Sequence, residues 1–160
     1  MMNVKKLDYQ KKIRSKEELL EHLKNFDVNP KISVGLWYLS ATGGRFHEAY
    51  FKKRSIEERI DMIAEMAELG VKGVEAHYPT EVNEENLHLY KKLEKETGIK
   101  LHDIGPQIFY NKEYEFGSLS NPYKENRDQA ISVIVDTLRF AKEAGCNHVG
   151  IWPGMDGYLY

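Results

Sequence analysis

Three times along this chain a helical stretch closes on Glu-x-Gly and a short apolar run follows: Glu68 with Gly70, Glu96 with Gly98, Glu143 with Gly145. Glycine just past the last periodic residue stops a helix, because it takes a left-handed backbone without the penalty a Cβ brings. Strands and helices alternating at these lengths predict a parallel sheet and an α/β fold. An open three-layer sheet and a closed barrel both fit that periodicity.

Ser15 and Glu18 make a capping box for a short helix carrying Leu19, Leu20 and Leu23, which ends before Asn29-Pro30. Residues 1–30 are therefore read as a leader with one clasp-like helix, and 31–160 as the βα units. Ile32 to Trp37 predicts the first strand. Ala41 to Glu48 is a loop whose two glycines lack the Walker lysine and the dinucleotide spacing. Ser55 and Glu58 cap a helix with Ile56, Ile60, Ile63 and Ala67 at helical spacing, and a second strand runs from Gly73 to His77 before Pro79 stops it. Asn83 caps a helix through Thr97, with Leu87, Tyr90 and Leu93 as its buried stripe, and Ile99 to Ile104 is the third strand. Asn111 to Glu125 has turn formers without periodicity and reads as an ordered loop or lid. Ile131, Ile134, Val135, Leu138 and Ala141 mark the buried stripe of a helix from about Arg127 to Ala144, and His148 to Trp152 is the fourth strand.

Side chains alternate along a strand, so Glu75 and His77 share one face while Val74 and Ala76 share the other. The apolar face suits packing on helices; the Glu/His face does not. His77 stands at the carboxyl end of its strand, where parallel sheets bind ligands, and imidazole, with a reference pKa of ~6.5, moves protons near neutral pH. The alternative is a structural histidine donating to a carbonyl. Trp37, His77, Phe109 and Trp152 lie at or just past the ends of four successive strands. A barrel brings such ends to one mouth. There the three aromatic rings wall a pocket for the apolar faces of a sugar or a similar small molecule, although aromatics in strands are more often core.

Other candidates read as structural. Glu75 with His77 offers two metal ligands, fewer than a closed site needs. His102 and Asp103 are neighbours that point to opposite faces of a regular strand, and with His22, His88 and His148 they are left structural. Arg45 and His47 sit in the first loop, with surface and substrate roles both open, and Asp156 between glycines is a turn residue. Cys146 has no local base and reads as packing.

The 160 residues suit one domain but fall short of the ~250 of a complete α/β barrel. With 23 basic and 25 acidic residues, net −2, the chain has no one-signed field for nucleic acid or an anionic membrane surface. One cysteine makes no internal disulfide, the first thirty residues lack a signal-peptide apolar core, and no run reaches the ~20 apolar residues of a spanning helix. The expectation is a cytoplasmic protein.

Gly35-Leu-Trp37, Gly73-Val-Glu-Ala-His77, Ile108-Phe109 before a long loop, and Gly150-Ile-Trp-Pro-Gly-Met-Asp-Gly157 follow one another as in the xylose isomerase family. From about Ile32 to Tyr160 the chain resembles the amino-terminal half of a xylose isomerase-like TIM barrel. That superfamily also holds rhamnose isomerases, ketose epimerases and a metal-dependent endonuclease. The resemblance implies an incomplete barrel of about four strands. It implies that His77 binds the sugar ring oxygen or a hydroxyl and helps open the ring, while Trp37, Phe109 and Trp152 form the apolar wall. In the family an acidic residue soon after the histidine orients it. Here Tyr78-Pro-Thr80 follows, so that support is missing unless Glu75 or Glu81 replaces it; the departure puts xylose in doubt as the substrate and suggests a divergent sugar isomerase. The family's two divalent metals (Mg, Mn or Co) and its carbonyl-polarising lysine come from the fifth to eighth strands. The resemblance thus implies a metal-dependent aldose–ketose isomerase whose metals this chain does not itself hold. Alone, the chain is expected to be inactive: a truncated piece that lacks its C-terminal half, or a half-barrel completed as a homo-oligomer. The rivals are a non-catalytic sugar-binding or assembly module and a sugar epimerase. The phosphodiesterase branch is disfavoured by the balanced charge and the few histidines at strand ends.

Overall fold

Gly70, Gly98 and Gly145 each take a left-handed backbone, with φ of 88°, 77° and 74°, directly after a helix. The recurrent glycines are therefore helix terminators, and they set the alternation of the fold. The computed structural model describes residues 15–26, 28–41 and 52–154. The chain divides into two units between Pro30 and Lys31. The first holds α1 (Lys16–Lys24), whose capping box is complete: the Ser15 hydroxyl accepts from the Glu18 N–H, and the Glu18 carboxylate from that of Ser15. Leu19, Leu20 and Leu23 stay exposed, so capping rather than burial defines this helix.

The second unit runs β1 (Ile32–Gly35), a 3-10 turn (Leu36–Leu39), α2 (Ile56–Glu65), β2 (Val71–Tyr78), α3 (Leu87–Thr97), β3 (Lys100–Pro106) and α4 (Lys124–Ala144). The strands are parallel in the order β1-β2-β3 and flanked by helices, an α/β fold. Val74 and Ala76 on β2 are fully buried against Ile60 and Ile63 of α2, Tyr90 and Leu93 of α3, and Phe140 and Ala141 of α4. Ser55 and Glu58 cap α2 as expected. Asn83 accepts from the N–H groups of Glu85 and Asn86, but α3 begins at Leu87, one turn later. Among the described residues no helix is long and apolar enough to cross a membrane.

Two expectations are corrected. The buried side of α4 consists of Ala130, Thr137, Phe140, Ala141 and Ala144; of the expected stripe Ala141 is buried and Ile134 packs on the cluster of Ile108, Phe109 and Tyr114, whereas Ile131, Val135 and Leu138 are exposed. Small residues let the helix approach the sheet closely, and Phe140 stacks on Tyr78 with centroids 4.8 Å apart. Steric fit, not aliphatic size, seats this helix. The predicted fourth strand, residues 148–152, is not a strand. The Ile104 N–H donates to the His148 carbonyl at 3.3 Å, but among the described residues no second rung joins the segment to β3, and Ile151 and Trp152 are exposed. One hydrogen bond does not make a ladder.

The 111–125 segment is ordered around one buried amide. Asn121 Nδ2 donates to the carbonyls of Glu113 and Gly117 at 2.9 and 2.6 Å, and its backbone carbonyl accepts from Arg127. A loop without periodicity is thereby given internal hydrogen bonding of its own.

Candidate active site

His77 lies on the sheet face opposite Val74 and Ala76, in register with Gly105 of β3. A Cβ at residue 105 would sit 3.0 Å from the His77 ring, so glycine leaves that ring its room. On the other flank β1 ends at Gly35, and the 3-10 turn folds Trp37 back over it. The rings then run in series: Trp37 to His77 at 4.6 Å between centroids, His77 to Phe109 at 5.1 Å, Phe109 to Trp152 at 5.2 Å. All four line one cavity of about 1080 Å³. The structure thus brings together the four residues singled out from strand ends. Phe109 is buried, Trp37 and His77 are partly so, and Trp152 lies exposed at the rim. Tyr110 joins them, its ring 5.0 Å from Phe109 and its backbone at φ 70°, a left-handed conformation uncommon for a residue with a side chain.

The imidazole is held from behind. Past Pro79 the chain turns tightly enough for the Glu81 and Val82 N–H groups both to donate to the His77 carbonyl, at 2.7 and 3.1 Å. This folds the Glu81 side chain back: Oε2 lies 2.9 Å from His77 Nδ1 and accepts the His77 backbone N–H at 3.1 Å. Oε1 accepts from Arg59 Nη1 at 2.8 Å. A carboxylate facing a guanidinium accepts on both oxygens, so its partnership assigns the proton to Nδ1 and leaves Nε2 as the acceptor. Nε2 has no hydrogen-bond partner among the described residues.

Of the two carboxylates weighed as the orienting group, Glu81 fills the role; Glu75 instead accepts from the Ser33 hydroxyl. His102 and Asp103 also depart from expectation. The β2–β3 pairing slips between Val74 and Glu75, which pair with Leu101 and Asp103, so the regular alternation that would separate the two side chains is broken. Both reach His148: Asp103 Oδ1 is 2.8 Å from its Nδ1, and the His102 ring stacks on it at 5.8 Å. Among the described residues no three His, Cys, Asp or Glu side chains converge as a metal site. Arg45, His47 and Asp156 lie outside the described residues.

Arg59 escaped the sequence reading. Its signal was a charged residue within the Ile56, Ile60, Ile63 stripe of α2, where a buried partner is required.

Cys146 is buried, and burial pushes its thiol above the ordinary range. A raised pKa means less thiolate at any given pH. Iodoacetamide at pH 8 should therefore alkylate the folded chain at least about tenfold more slowly than the urea-unfolded chain; mass spectrometry at timed intervals reads the difference, and equal rates would show the thiol to be open.

No family model matches the chain. A xylose isomerase of Thermus thermophilus is 25% identical over 139 residues, an alignment that takes in 79% of this chain and 34% of that protein. The chain therefore spans about a third of the length of this curated relative. The likeness supports a xylose isomerase-like relationship.

Proposed function

We propose that this chain forms the sugar-facing wall and the proton-handling centre of an aldose–ketose isomerase, and that its strands belong to a closed (β/α) barrel. The observation that carries the reading is the meeting of a carboxylate-oriented imidazole with three aromatic rings on one cavity. Rings of this kind take the apolar C–H faces of a pyranose, while a few polar groups fix its orientation. Opening a cyclic sugar moves one proton from the anomeric hydroxyl to the ring oxygen as the carbon–oxygen ring bond breaks. Nε2 of His77 accepts the first proton and returns one to the ring oxygen. Glu81 holds the ring throughout, and the second nitrogen of the imidazole stays bonded to it.

The xylose isomerase resemblance implies a divalent metal, and the residues described do not fit one, since no set of three ligating side chains converges. What these residues supply is binding and ring opening, and the 160-residue chain alone is proposed to bind a sugar without isomerising it.

The test is a titration with a panel of aldoses and ketoses, with Mg, Mn and Co each present, followed by NMR of the ring protons and by product analysis. A sugar that fits should shift Trp37, His77 and Phe109 together. Any turnover found should fall roughly 10²-fold or more in His77→Ala. If no sugar moves these signals, or if His77→Ala leaves turnover intact, the reading fails. Binding with no turnover in any longer form of the protein would favour a sugar-binding module.

A further inference from the structure

Glu81 is already anchored without its carboxylate. Its backbone carbonyl accepts from the Tyr90 hydroxyl at 2.9 Å and from Asn86 Nδ2 at 3.0 Å, so α3 and the turn before it fix the loop. The carboxylate is divided between two partners, Arg59 on one oxygen and His77 on the other. Arg59 and Glu81 are 8% and 7% exposed.

Burying such a pair has a desolvation cost that its attraction often only offsets, and apolar replacements of similar volume are commonly as stable or more so. Stability alone is therefore a weak reason for a guanidinium here. The Arg59 side chain is also incompletely satisfied, with Nε buried and without a hydrogen-bond partner among the described residues. A half-satisfied buried network is a local cost of the kind found at functional sites. Nη1 also lies 3.5 Å from the Leu36 carbonyl, in the turn that carries Trp37. One side chain thus spans the element bearing Trp37 and the carboxylate behind His77.

We propose that Arg59 is a positioning residue for His77, acting through Glu81. It keeps Oε2 turned to Nδ1 and so fixes the tautomer that presents Nε2 as acceptor. The inference rests on the reading of His77 as the proton-handling group, yet its test needs no sugar. A failed sugar titration and a failed tautomer experiment are therefore told apart, since the Arg59–Glu81–His77 linkage is read without any ligand.

The experiment is long-range 15N–1H correlation on the 160-residue chain labelled at histidine, which separates the Nδ1–H from the Nε2–H form. The unaltered chain should show His77 as Nδ1–H. In Arg59→Met Oε1 loses its partner and only His77, through its backbone N–H and its ring, still holds Oε2, so the Nε2–H form should rise roughly tenfold relative to the other. Arg59→Lys, which keeps the charge, should restore the Nδ1–H form. A folded Arg59→Met chain that keeps Nδ1–H overturns the proposal. Should Arg59→Met not fold, Arg59→Gln, which leaves a neutral polar group beside Glu81 and removes the guanidinium, serves in its place. A rise of the Nε2–H form there supports the route through Glu81, and an unchanged Nδ1–H preference overturns it.

Discussion

Glu81→Leu is expected to lower the stability of the fold by about 3–5 kcal/mol, the cost of leaving a buried charge without its counterion. Arg59 is 8% exposed, and once the carboxylate is gone its nearest described acceptor is the Leu36 carbonyl at 3.5 Å, the outer limit of a hydrogen bond. The guanidinium cannot shed its proton, and its side chain is only 10% exposed. The double change Arg59→Met/Glu81→Leu removes both charges and should recover most of the loss. Urea denaturation of the two singles and the double reads this directly. A Glu81→Leu chain within about 1 kcal/mol of the original would mean that the pair is solvated, contrary to its burial.

Gly35→Ala is expected to do the reverse, sparing the fold and spoiling the site. The backbone at this position, φ −73° and ψ 126°, suits any residue. A Cβ, however, would sit 2.3 to 2.6 Å from three atoms of the Trp37 ring. No carbon tolerates that approach, so the indole must leave, and with it the contact to His77 at 4.6 Å. Aromatic contacts contribute about 0.5–1.5 kcal/mol beyond the area they bury, so any sugar that stacks on Trp37 should bind up to roughly tenfold more weakly. Unfolding should change by less than about 1 kcal/mol. Loss of the ring-current shift that Trp37 imposes on His77, with the urea midpoint preserved, is the expected pair of results. Unchanged shifts would show that the indole does not lie over Gly35.

What the sequence made legible follows from how local each signal is. The capping boxes at Ser15 and Ser55 and the glycines at 70, 98 and 145 act within one helical turn, and all five behave as their chemistry dictates. His77 and its neighbouring rings were found because strand ends in a parallel sheet converge, a consequence of topology that needs only the element order. The misses are long-range. Residues 148–152 have the composition of a strand, but pairing depends on a rung-by-rung match with β3 that composition does not encode. The α4 stripe placed Ala141 and Ile134 correctly but took Ile131, Val135 and Leu138 with them, while the core on the sheet accepted Phe140, Ala141 and Ala144 by steric fit. Arg59 meets Glu81 from 22 residues away in sequence, and only the fold brings Arg59 and His77 to the same carboxylate. The shared partner of His102 and Asp103 depends on a register slip in β2–β3 that no periodicity announces.

A nuclear Overhauser spectrum of the unliganded chain bears most directly on the arrangement from which the sugar chemistry follows. Cross-peaks from the His77 ring protons to the rings of both Trp37 and Phe109 are predicted, at separations set by centroids 4.6 and 5.1 Å apart. Cross-peaks instead to the methyl groups of Ile60 and Ile63, with none to either aromatic ring, would place the imidazole in the helical layer and contradict the account.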